Sequence, residues 1–361
     1  MSDSLARKLI ANRPVVGQLT LASAPSVAAT AVSSSGGVIN WVKALSSSAD
    51  ERRIGMTGNS ESVEIVEVAP RDGFQSIDKP LPTEEKIAII EALLSAGVKR
   101  MELGSFVSPK AIPQMADMAD IAAHFQGRDS VRLSVLVPNA KGAELALKNR
   151  YSELVFVFSV SEAHNQNNVR QSVEQSLAQL RAVVETMDGD PNFRLRVDLA
   201  TSFDCPFTGT VPLDDVRRAF SKALAIAPEA EFALCDTTGR ADPLTVKGRF
   251  EAVMADAPTA TGWAFHGHDT FGMGVANALF AYQAGVRVME GAAAGLGGCP
   301  FAPGATGNTA TEDLYFAFQQ GGIDTGLDLE KLLAAADRIA ALPGGKTGGH
   351  LRIVPRKRAF A

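Results

Sequence analysis

The stretch VEIVEVAPRDGFQSIDKPLPTEEKIAIIEALLSAGVKRMEL, residues 63–103, holds two β-branched runs on either side of a helical segment. The runs VEIVEVA (63–69) and VKRMEL (98–103) have the composition of buried strands. Between them, TEEKIAIIEALLSAG (83–97) opens with a threonine cap and two glutamates that suit the helix dipole, and it ends at a glycine. The stretch therefore predicts a β-α-β crossover unit.

The same alternation continues along the chain. Six further strand candidates follow: VRLSVLV (131–137), LVFVFSV (154–160), FRLRVDLA (193–200), AEFALCD (230–236), TGWAFHG (261–267) and VRVME (286–290). Helical patterns lie at 170–187, 212–226, 243–255, 274–284, 310–319 and 328–341. Eight alternating strands predict an α/β protein with a (β/α)8 TIM barrel. An open doubly wound sheet is the alternative, but no strand is followed by a G-x-G-x-x-G turn or a P-loop.

The first sixty residues differ in composition from the rest, with a tract rich in Ser, Ala and Gly at 23–37. We expect a flexible, disordered extension at 1–60, a catalytic barrel at 61–345 and a C-terminal tail at 346–361. The extension carries several early basic residues and few acids, so an organelle transit peptide is an alternative for it.

Bulk properties exclude several classes of protein. A net charge of −5 over 361 residues gives no general basic field for nucleic acid or an anionic membrane. No apolar run has the length of a membrane span, and three scattered cysteines do not predict a disulfide framework. We expect a cytoplasmic enzyme without nucleic-acid or membrane partners, or a mitochondrial matrix enzyme if residues 1–60 are a transit peptide.

Charged residues follow several of the predicted strands, where the active site of a barrel lies. Arg71 and Asp72 come directly after the first strand, and an arginine there can neutralise an enolate oxygen while an aspartate binds a divalent cation. The alternative is a structural ion pair at a strand end. Glu102 and Asp236 close the second and sixth strands, and each either joins the site or caps the following helix.

The motif HGHD places His266 and His268 two residues apart at the end of the seventh strand. Side chains alternate along a strand, so both imidazoles point the same way, which we interpret as inward. A lone histidine is more often a core residue, but two of the five in the chain on one face favour a metal chelate. Asp269 is a candidate to anchor them.

The segment AGLGGCPFAPGATGN, 294–308, follows the eighth strand and contains five glycines, which suits a loop that approaches or covers a ligand. Cys299 within it can act as an acid or base, although a small buried hydrophobe is the commonest role of a free cysteine. Asn308 offers a neutral oxygen to a cation.

Five motifs, VEVAPRDGFQ, MELGSFVSPKAIPQM, LCDTTG, HGHDTFGMGVAN and GLGGCPFAPGATGN, stand in this order at barrel spacing. Together they resemble the hydroxymethylglutaryl-CoA lyase family over residues 63–340. The resemblance implies a barrel that binds Mg2+ or Mn2+ and splits 3-hydroxy-3-methylglutaryl-CoA into acetyl-CoA and acetoacetate. It also implies an acyl-CoA substrate, a place in leucine degradation and ketone body metabolism, and a homodimer as a common oligomeric state of such lyases.

Position by position, the resemblance implies roles for individual residues. The implied metal ligands are Asp72, His266, His268 and Asn308. The implied catalytic residues are Arg71, Cys299 and His266, with Glu102 and Asp236 as supporting acids. Arg71 would stabilise the thioester enolate and Cys299 would be the proton donor of a mobile loop.

The sequence departs from the family pattern at Phe74, at Gly267, before the GLGGCP motif and at VSEAHNQNNVRQS (160–172), where a changed pocket would alter the acyl group accepted. A citramalyl-CoA-type lyase therefore stays open. A Claisen-condensing synthase of the isopropylmalate or citramalate kind is a second hypothesis, but it predicts a regulatory domain that this sequence does not indicate. A non-catalytic barrel is the third, and it would be expected to lack metal or acid–base positions that are present here.

Overall fold

A computed structural model describes residues 61–259, 261–298 and 307–360, which belong to one compact unit of the chain, Ser60–Ala361. Within these ranges eight parallel strands form a closed barrel. The strands are β1 (Glu64–Glu67), β2 (Arg100–Ser105), β3 (Arg132–Leu136), β4 (Glu153–Ser159), β5 (Arg194–Ala200), β6 (Glu231–Asp236), β7 (Trp263–Gly267) and β8 (Val288–Gly291). Each strand pairs with its neighbours in sequence and β8 pairs with β1, so the predicted (β/α)8 barrel is confirmed.

Helices surround the barrel in the described part of the chain. They are α1 (Thr83–Ser95), α2 (Met118–Phe125), α3 (Ala140–Lys148), α4 (Glu162–Val169), α5 (Val173–Met187), α6 (Leu213–Ile226), α7 (Pro243–Met254), α8 (Gly274–Gln283), α9 (Thr311–Gln320), α10 (Leu329–Ala340) and α11 (Arg356–Ala359). All seven predicted helices are present, and α2, α3, α4 and the short α11 were not predicted. None of the described helices is long and apolar enough to cross a membrane.

Local features at the strand ends position the site. A π-helix, Ala69–Gly73, follows β1 because Val68 accepts hydrogen bonds from the amides of Asp72 and Gly73. This helix carries Arg71. A 3-10 turn, Ala293–Gly295, follows β8, and the π-helix and this turn begin the two loops on either side of the barrel seam.

A buried cluster of ion pairs fills the opposite, amino-terminal end of the barrel. Arg100 at the start of β2 is fully buried, and its guanidinium binds Glu153 at 2.6 and 2.8 Å and Glu231 at 2.5 and 3.1 Å. A buried arginine needs such partners because desolvation of an unpaired charge is costly. This cluster stabilises the closed end and leaves the carboxyl ends of the strands to form the site.

Candidate active site and cation centre

A cavity of about 640 Å3 opens at the carboxyl ends of the strands. Arg71 and Asp72 line it from the π-helix, and His266 and His268 line it from the end of β7. Active sites of (β/α)8 barrels form at this end. The structure therefore brings the residues that were predicted from two distant motifs into one cavity.

Asp72, His266 and His268 form a cluster whose ligand atoms all lie within 4.8 Å of one another. His268 Nε2 is 3.8 Å from Asp72 Oδ2, and the two imidazole rings have centroids 5.1 Å apart. Both histidines are buried and face the cavity, which confirms the predicted inward direction. One carboxylate and two imidazoles at these distances are a donor set for a divalent cation.

Asn308 joins this cluster from the far end of the glycine-rich segment. A backbone bridge pairs it with His268, and its Nδ2 donates to Asp72 Oδ2 at 2.8 Å and to Leu296 O at 3.1 Å. A half-turn of the amide would present its oxygen instead. The four residues for which the resemblance implies metal ligation thus lie together.

Arg71 is held rigidly beside the cluster. Its Nε donates to Glu102 Oε2 at 2.7 Å and its Nη1 to Asp72 Oδ1 at 2.5 Å. Burial acts to lower the pKa of Arg71, but the charges of Glu102 and Asp72 raise it overall, so the guanidinium stays charged. Burial raises the pKa of Glu102 to about 7 against the effect of Arg71. Because its Oε2 accepts the hydrogen bond from Arg71 Nε, Glu102 orients the guanidinium.

Asp236 itself is not among the residues that line the cavity, although its neighbours Cys235 and Thr237 are. Its two oxygens accept the backbone amides of Arg240 and Ala241, each at 3.1 Å, and burial raises its pKa to about 7. The carboxylate therefore fastens the loop after β6. Of the supporting acids predicted from sequence, Glu102 contacts Arg71 and Asp236 contacts backbone.

Sequence reasoning missed three buried charges inside the barrel. Glu290 of β8 accepts from His266 Nδ1 at 2.6 Å through Oε2, and its Oε1 binds Arg196 of β5. Arg196 also binds Asp198, with Nε to Oδ1 at 2.8 Å and Nη2 to Oδ2 at 3.1 Å. The signal was available in part, because residues spaced by two along a strand share one face, so Arg196 and Asp198 had to lie on the same side of β5.

The net charge of this interior fits a divalent cation. Four carboxylates and two guanidiniums lie together, which sum formally to −4 + 2 = −2; they are Asp72, Glu102, Asp198, Glu290, Arg71 and Arg196. Burial raises the pKa of both Glu102 and Asp198, as an excess of buried negative charge would favour. A bound 2+ ion would neutralise the cluster.

The two histidines also fit a cation. Burial and then the neighbouring His266 lower the pKa of His268 to about 4, so its imidazole is neutral. Its Nδ1 is buried with no hydrogen-bond partner among the described residues. Burial acts to lower the pKa of His266, but Glu290 raises it overall. An imidazole that bonds a carboxylate through one nitrogen and faces the site with the other is common at metal centres.

The C-terminal segment contributes a further residue that sequence reasoning missed. Lys346 lines the cavity, because Gly348 N donates to Ala294 O at 2.9 Å and Gly297 N donates to Lys346 O at 3.3 Å. We assigned this residue to the tail from sequence. A single lysine between glycine pairs in GGKTGG was the available signal, since glycines permit close backbone packing.

The segment 160–172, which departs from the family pattern, forms one wall of the cavity. His164, Asn168 and Gln171 face it from α4 and the turn that follows. Buried Asn165 fixes this wall, since its Oδ1 accepts from Ser159 N at 2.9 Å and its Nδ2 donates to Gln171 O at 2.8 Å. Burial lowers the pKa of His164 to about 4. The wall is polar and uncharged.

The glycine-rich segment is described only at its two ends, and Cys299 lies outside the described residues. Gly297 and Gly307 pack backbone to backbone, and a Cβ on Gly307 would overlap the Gly297 carbonyl carbon. Two buried carboxyl groups hold the start of the segment, since Glu67 accepts from Ala293 N and Glu312 from Ala294 N, each at 3.0 Å.

Replacing Glu312 by glutamine should change how folding stability depends on pH. Burial raises the pKa of Glu312 from 4.5 to about 8, so the folded state binds a proton that the unfolded state has released between these values. Its stabilisation is complete below pH 4.5 and is lost as the pH rises through 8. The free energy of unfolding is measured in urea at pH 5 and at pH 8. Relative to the wild type, that of Glu312→Gln should be roughly 1–4 kcal/mol higher at pH 8 than at pH 5.

The control is Glu330→Gln, which alters an exposed glutamate of α10. Its stability should follow that of the wild type at both pH values. A Glu312→Gln difference that is the same at pH 5 and pH 8 would contradict the assignment of Glu312 as a buried, protonated acid.

A barrel with charged residues gathered at its mouth belongs to the class of (β/α)8 enzymes. A family model described as HMGL-like matches residues 62–339, and the chain belongs to this family. Hydroxymethylglutaryl-CoA lyase YngG of Bacillus subtilis (strain 168) is 41% identical over 279 residues, which are 77% of this chain and 92% of that protein. The mitochondrial hydroxymethylglutaryl-CoA lyase of Mus musculus is 39% identical over 287 residues, 80% of this chain and 87% of that protein.

Solved structures agree with these relatives. The structure of an HMG-CoA lyase from A. baumannii in complex with coenzyme A and 3-methylmalate matches with a TM-score of 0.78 and 37% identity, over 83% of this chain and 97% of that chain. The chain is therefore an enzyme of the carbon–carbon lyase class.

Proposed function

We propose that this protein cleaves 3-hydroxy-3-methylglutaryl-CoA, or a close 3-hydroxy-3-methylacyl-CoA, in a retro-Claisen reaction that depends on Mg2+ or Mn2+. The products are acetyl-CoA and acetoacetate, or the matching keto acid. One observation carries the proposal: Arg71, a fixed cation, adjoins the Asp72–His266–His268 cluster in a single cavity. The names of its relatives support the same reaction.

Asp72, His266, His268 and Asn308 would hold the cation. When bound, a divalent ion acidifies a coordinated hydroxyl group and stabilises negative charge on oxygen. The formal charge of −2 in the barrel interior and the unpartnered Nδ1 of His268 support this assignment.

We assign the first proton transfer to His266. The proton of the substrate hydroxyl moves to His266 Nε2, because Glu290 occupies the other ring nitrogen. Nε2 has a single lone pair, so it accepts this proton only while it does not hold the cation. The bond between C2 and C3 then breaks, C3 becomes the ketone of acetoacetate, and the electron pair moves into the thioester as an enolate.

Arg71 is assigned to stabilise that enolate. Its guanidinium is already oriented by Glu102 and Asp72, so it does not have to reorganise when charge develops on the thioester oxygen. The terminal carbon of the enolate then takes up a proton to give acetyl-CoA. Cys299 as the donor of that proton stays a prediction.

Substrate binding would use the rest of the cavity. Lys346 is the lining cation from the C-terminal segment, and we assign it to an anionic group of the acyl-CoA. The polar wall at His164, Asn168 and Gln171 would contact the acyl group or the thioester arm. The relative solved with coenzyme A and 3-methylmalate supports an acyl-CoA substrate and keeps a citramalyl-CoA-type acyl group open.

The cellular setting follows as a set of proposals. The relatives include both a bacterial and a mitochondrial protein, so the cytoplasm remains our proposal and the mitochondrial matrix the alternative. A role in leucine degradation and ketone body metabolism, a homodimeric state, and a division into 1–60, 61–345 and 346–361 are proposed on the sequence arguments alone.

Product analysis tests the proposed function. The purified protein with Mg2+ or Mn2+ is given hydroxymethylglutaryl-CoA, citramalyl-CoA and a longer branched analogue in parallel, and thioesters and keto acids are identified. We expect equimolar acetyl-CoA and acetoacetate from the first. Preference for another substrate would keep the mechanism and assign the difference to the 160–172 wall. Condensation with release of CoA would favour the synthase hypothesis, and no reaction the non-catalytic one.

A further inference from the structure

An arginine is buried in the wall of the barrel, one layer below the candidate cation centre. Arg196 is 1% exposed, and it shares the inward face of β5 with Asp198. Its Nε and Nη2 bind the two oxygens of Asp198 at 2.8 and 3.1 Å. Asp198 in turn lines the cavity. The guanidinium is thus fixed in orientation by a two-point contact on its own strand.

The same guanidinium reaches across the barrel to Glu290 of β8 through Nη2. The two oxygens of Glu290 have different partners. Oε1 accepts a hydrogen bond from Arg196, and Oε2 accepts one from His266 Nδ1 at 2.6 Å. A continuous chain of contacts therefore runs from Asp198 through Arg196 and Glu290 to His266. All four side chains are buried.

This chain of contacts determines which nitrogen of His266 faces the cavity. A carboxylate accepts hydrogen bonds, so the proton of the neutral imidazole resides on Nδ1 and the lone pair on Nε2. His266 lines the cavity and forms one cluster with Asp72 and His268, so the nitrogen that Glu290 does not hold is the one left to bind a cation. Without Arg196, nothing described here would hold Glu290 Oε1, and the carboxylate could turn away from the ring.

We propose that Arg196 is a positioning residue, which fixes the tautomer and orientation of His266 through Glu290 and so prepares Nε2 for the cation. The proposal rests on the proposed function of the site. Contacts of this kind behind a metal-binding histidine typically change metal affinity by about 10- to 100-fold. Arg196 belongs neither to the Asp72–His266–His268 cluster nor to the lining of the cavity.

The protein contains a matched control at the other end of the barrel. Arg100 is equally buried and binds three carboxylates, Glu153, Glu231 and Glu64. No contact links it to His266 among the described residues. Arg100→Met therefore measures the effect of removing a buried arginine, without the effect on the histidine.

The experiment compares full-length wild type, Arg196→Met, Arg196→Lys and Arg100→Met. Mn2+ binding is measured by calorimetry, and the His266 tautomer of the metal-free protein is measured by 15N NMR. Steady-state kinetics with hydroxymethylglutaryl-CoA give kcat and KM. We expect Arg196→Met to weaken Mn2+ binding at least tenfold, to shift His266 from the Nδ1–H tautomer, and to lower kcat with little change in KM. Arg100→Met should lose stability and keep the Mn2+ affinity and the tautomer.

Two results would overturn the proposal. One is an unchanged Mn2+ affinity and tautomer in Arg196→Met; the other is an equal loss of Mn2+ affinity in both arginine variants, which indicates a structural role alone. If Arg196→Met does not fold, Arg196→Lys decides, since it keeps the charge and loses the two-point geometry. A wild type that binds Mn2+ but does not cleave the substrate refutes the proposed function and leaves the affinity and tautomer tests valid.

Discussion

Replacing Arg71 with methionine is expected to lower kcat for hydroxymethylglutaryl-CoA by about a thousandfold, with a much smaller change in KM. Arg71 is oriented by Glu102 and Asp72 before any charge develops, so its interaction is strongest in the transition state, when the enolate oxygen forms. The measurement is steady-state kinetics with the divalent cation at saturation. A loss confined to KM would place Arg71 in substrate binding only.

Arg71→Lys is the informative companion of this variant. It keeps a positive charge but cannot bind Glu102 and Asp72 together as the planar guanidinium does. We expect it to recover little activity. Both variants should fold, because the pKa of about 7 for Glu102 allows this carboxyl to take up a proton once its partner is removed or displaced. Near-normal turnover of Arg71→Met would refute the enolate assignment.

Asp72→Asn is the second change for which we expect a large effect. Asp72 is the carboxylate of the cluster, and its two oxygens contact Arg71 and Asn308. Removing its charge deprives a cation of its anionic ligand, so we expect Mn2+ affinity to fall about a hundredfold or more and turnover to fall with it. Calorimetry with Mn2+ and kinetics at several Mn2+ concentrations measure the two effects separately.

Asp236→Asn is the control for this prediction. Asp236 ends strand β6, and its oxygens accept backbone amides of the loop that follows. Its substitution should lower stability while Mn2+ affinity stays close to that of the wild type. Equal losses of Mn2+ affinity in the two variants would return Asp236 to the group of site residues, as the sequence resemblance implies.

The architecture was predictable because most of its strands are apolar and its helices amphipathic. All eight strands and seven helices follow from these patterns. Helix α4, EAHNQNNV, was missed because its polar sequence has no apolar face. It forms through its Ser161 cap and the contacts of buried Asn165. Tertiary contacts decide such a segment, and they are not visible in local composition.

The site was predictable only in part. Residues next to strand ends, such as Arg71 and His268, could be placed because barrel geometry brings those ends together. The partners could not be placed in the same way: Glu102 was expected at the mouth, but its contact with Arg71 Nε depends on the relative height of two strands. Lys346 could not be placed in the cavity from sequence, because its position depends on the path of the C-terminal segment past Ala294.

Interior charges such as Arg196 illustrate a different limit. The alternation along β5 places Arg196 and Asp198 on one face of the strand, but their partner Glu290 lies 94 residues later in the chain. Pairing across a barrel depends on register and strand order, which a single sequence does not specify. The structure was needed to identify these charges as one network behind His266.

The central claim is that the Asp72–His266–His268 cluster binds one divalent cation per chain and that this cation is required for cleavage. The most direct measurement is a titration of metal-free protein with Mn2+, following bound Mn2+ and the release of acetoacetate and acetyl-CoA from hydroxymethylglutaryl-CoA in the same samples. We expect no cleavage by the metal-free protein and activity that rises in proportion to occupancy, up to one Mn2+ per chain. Full cleavage by protein shown to contain no metal would contradict the claim.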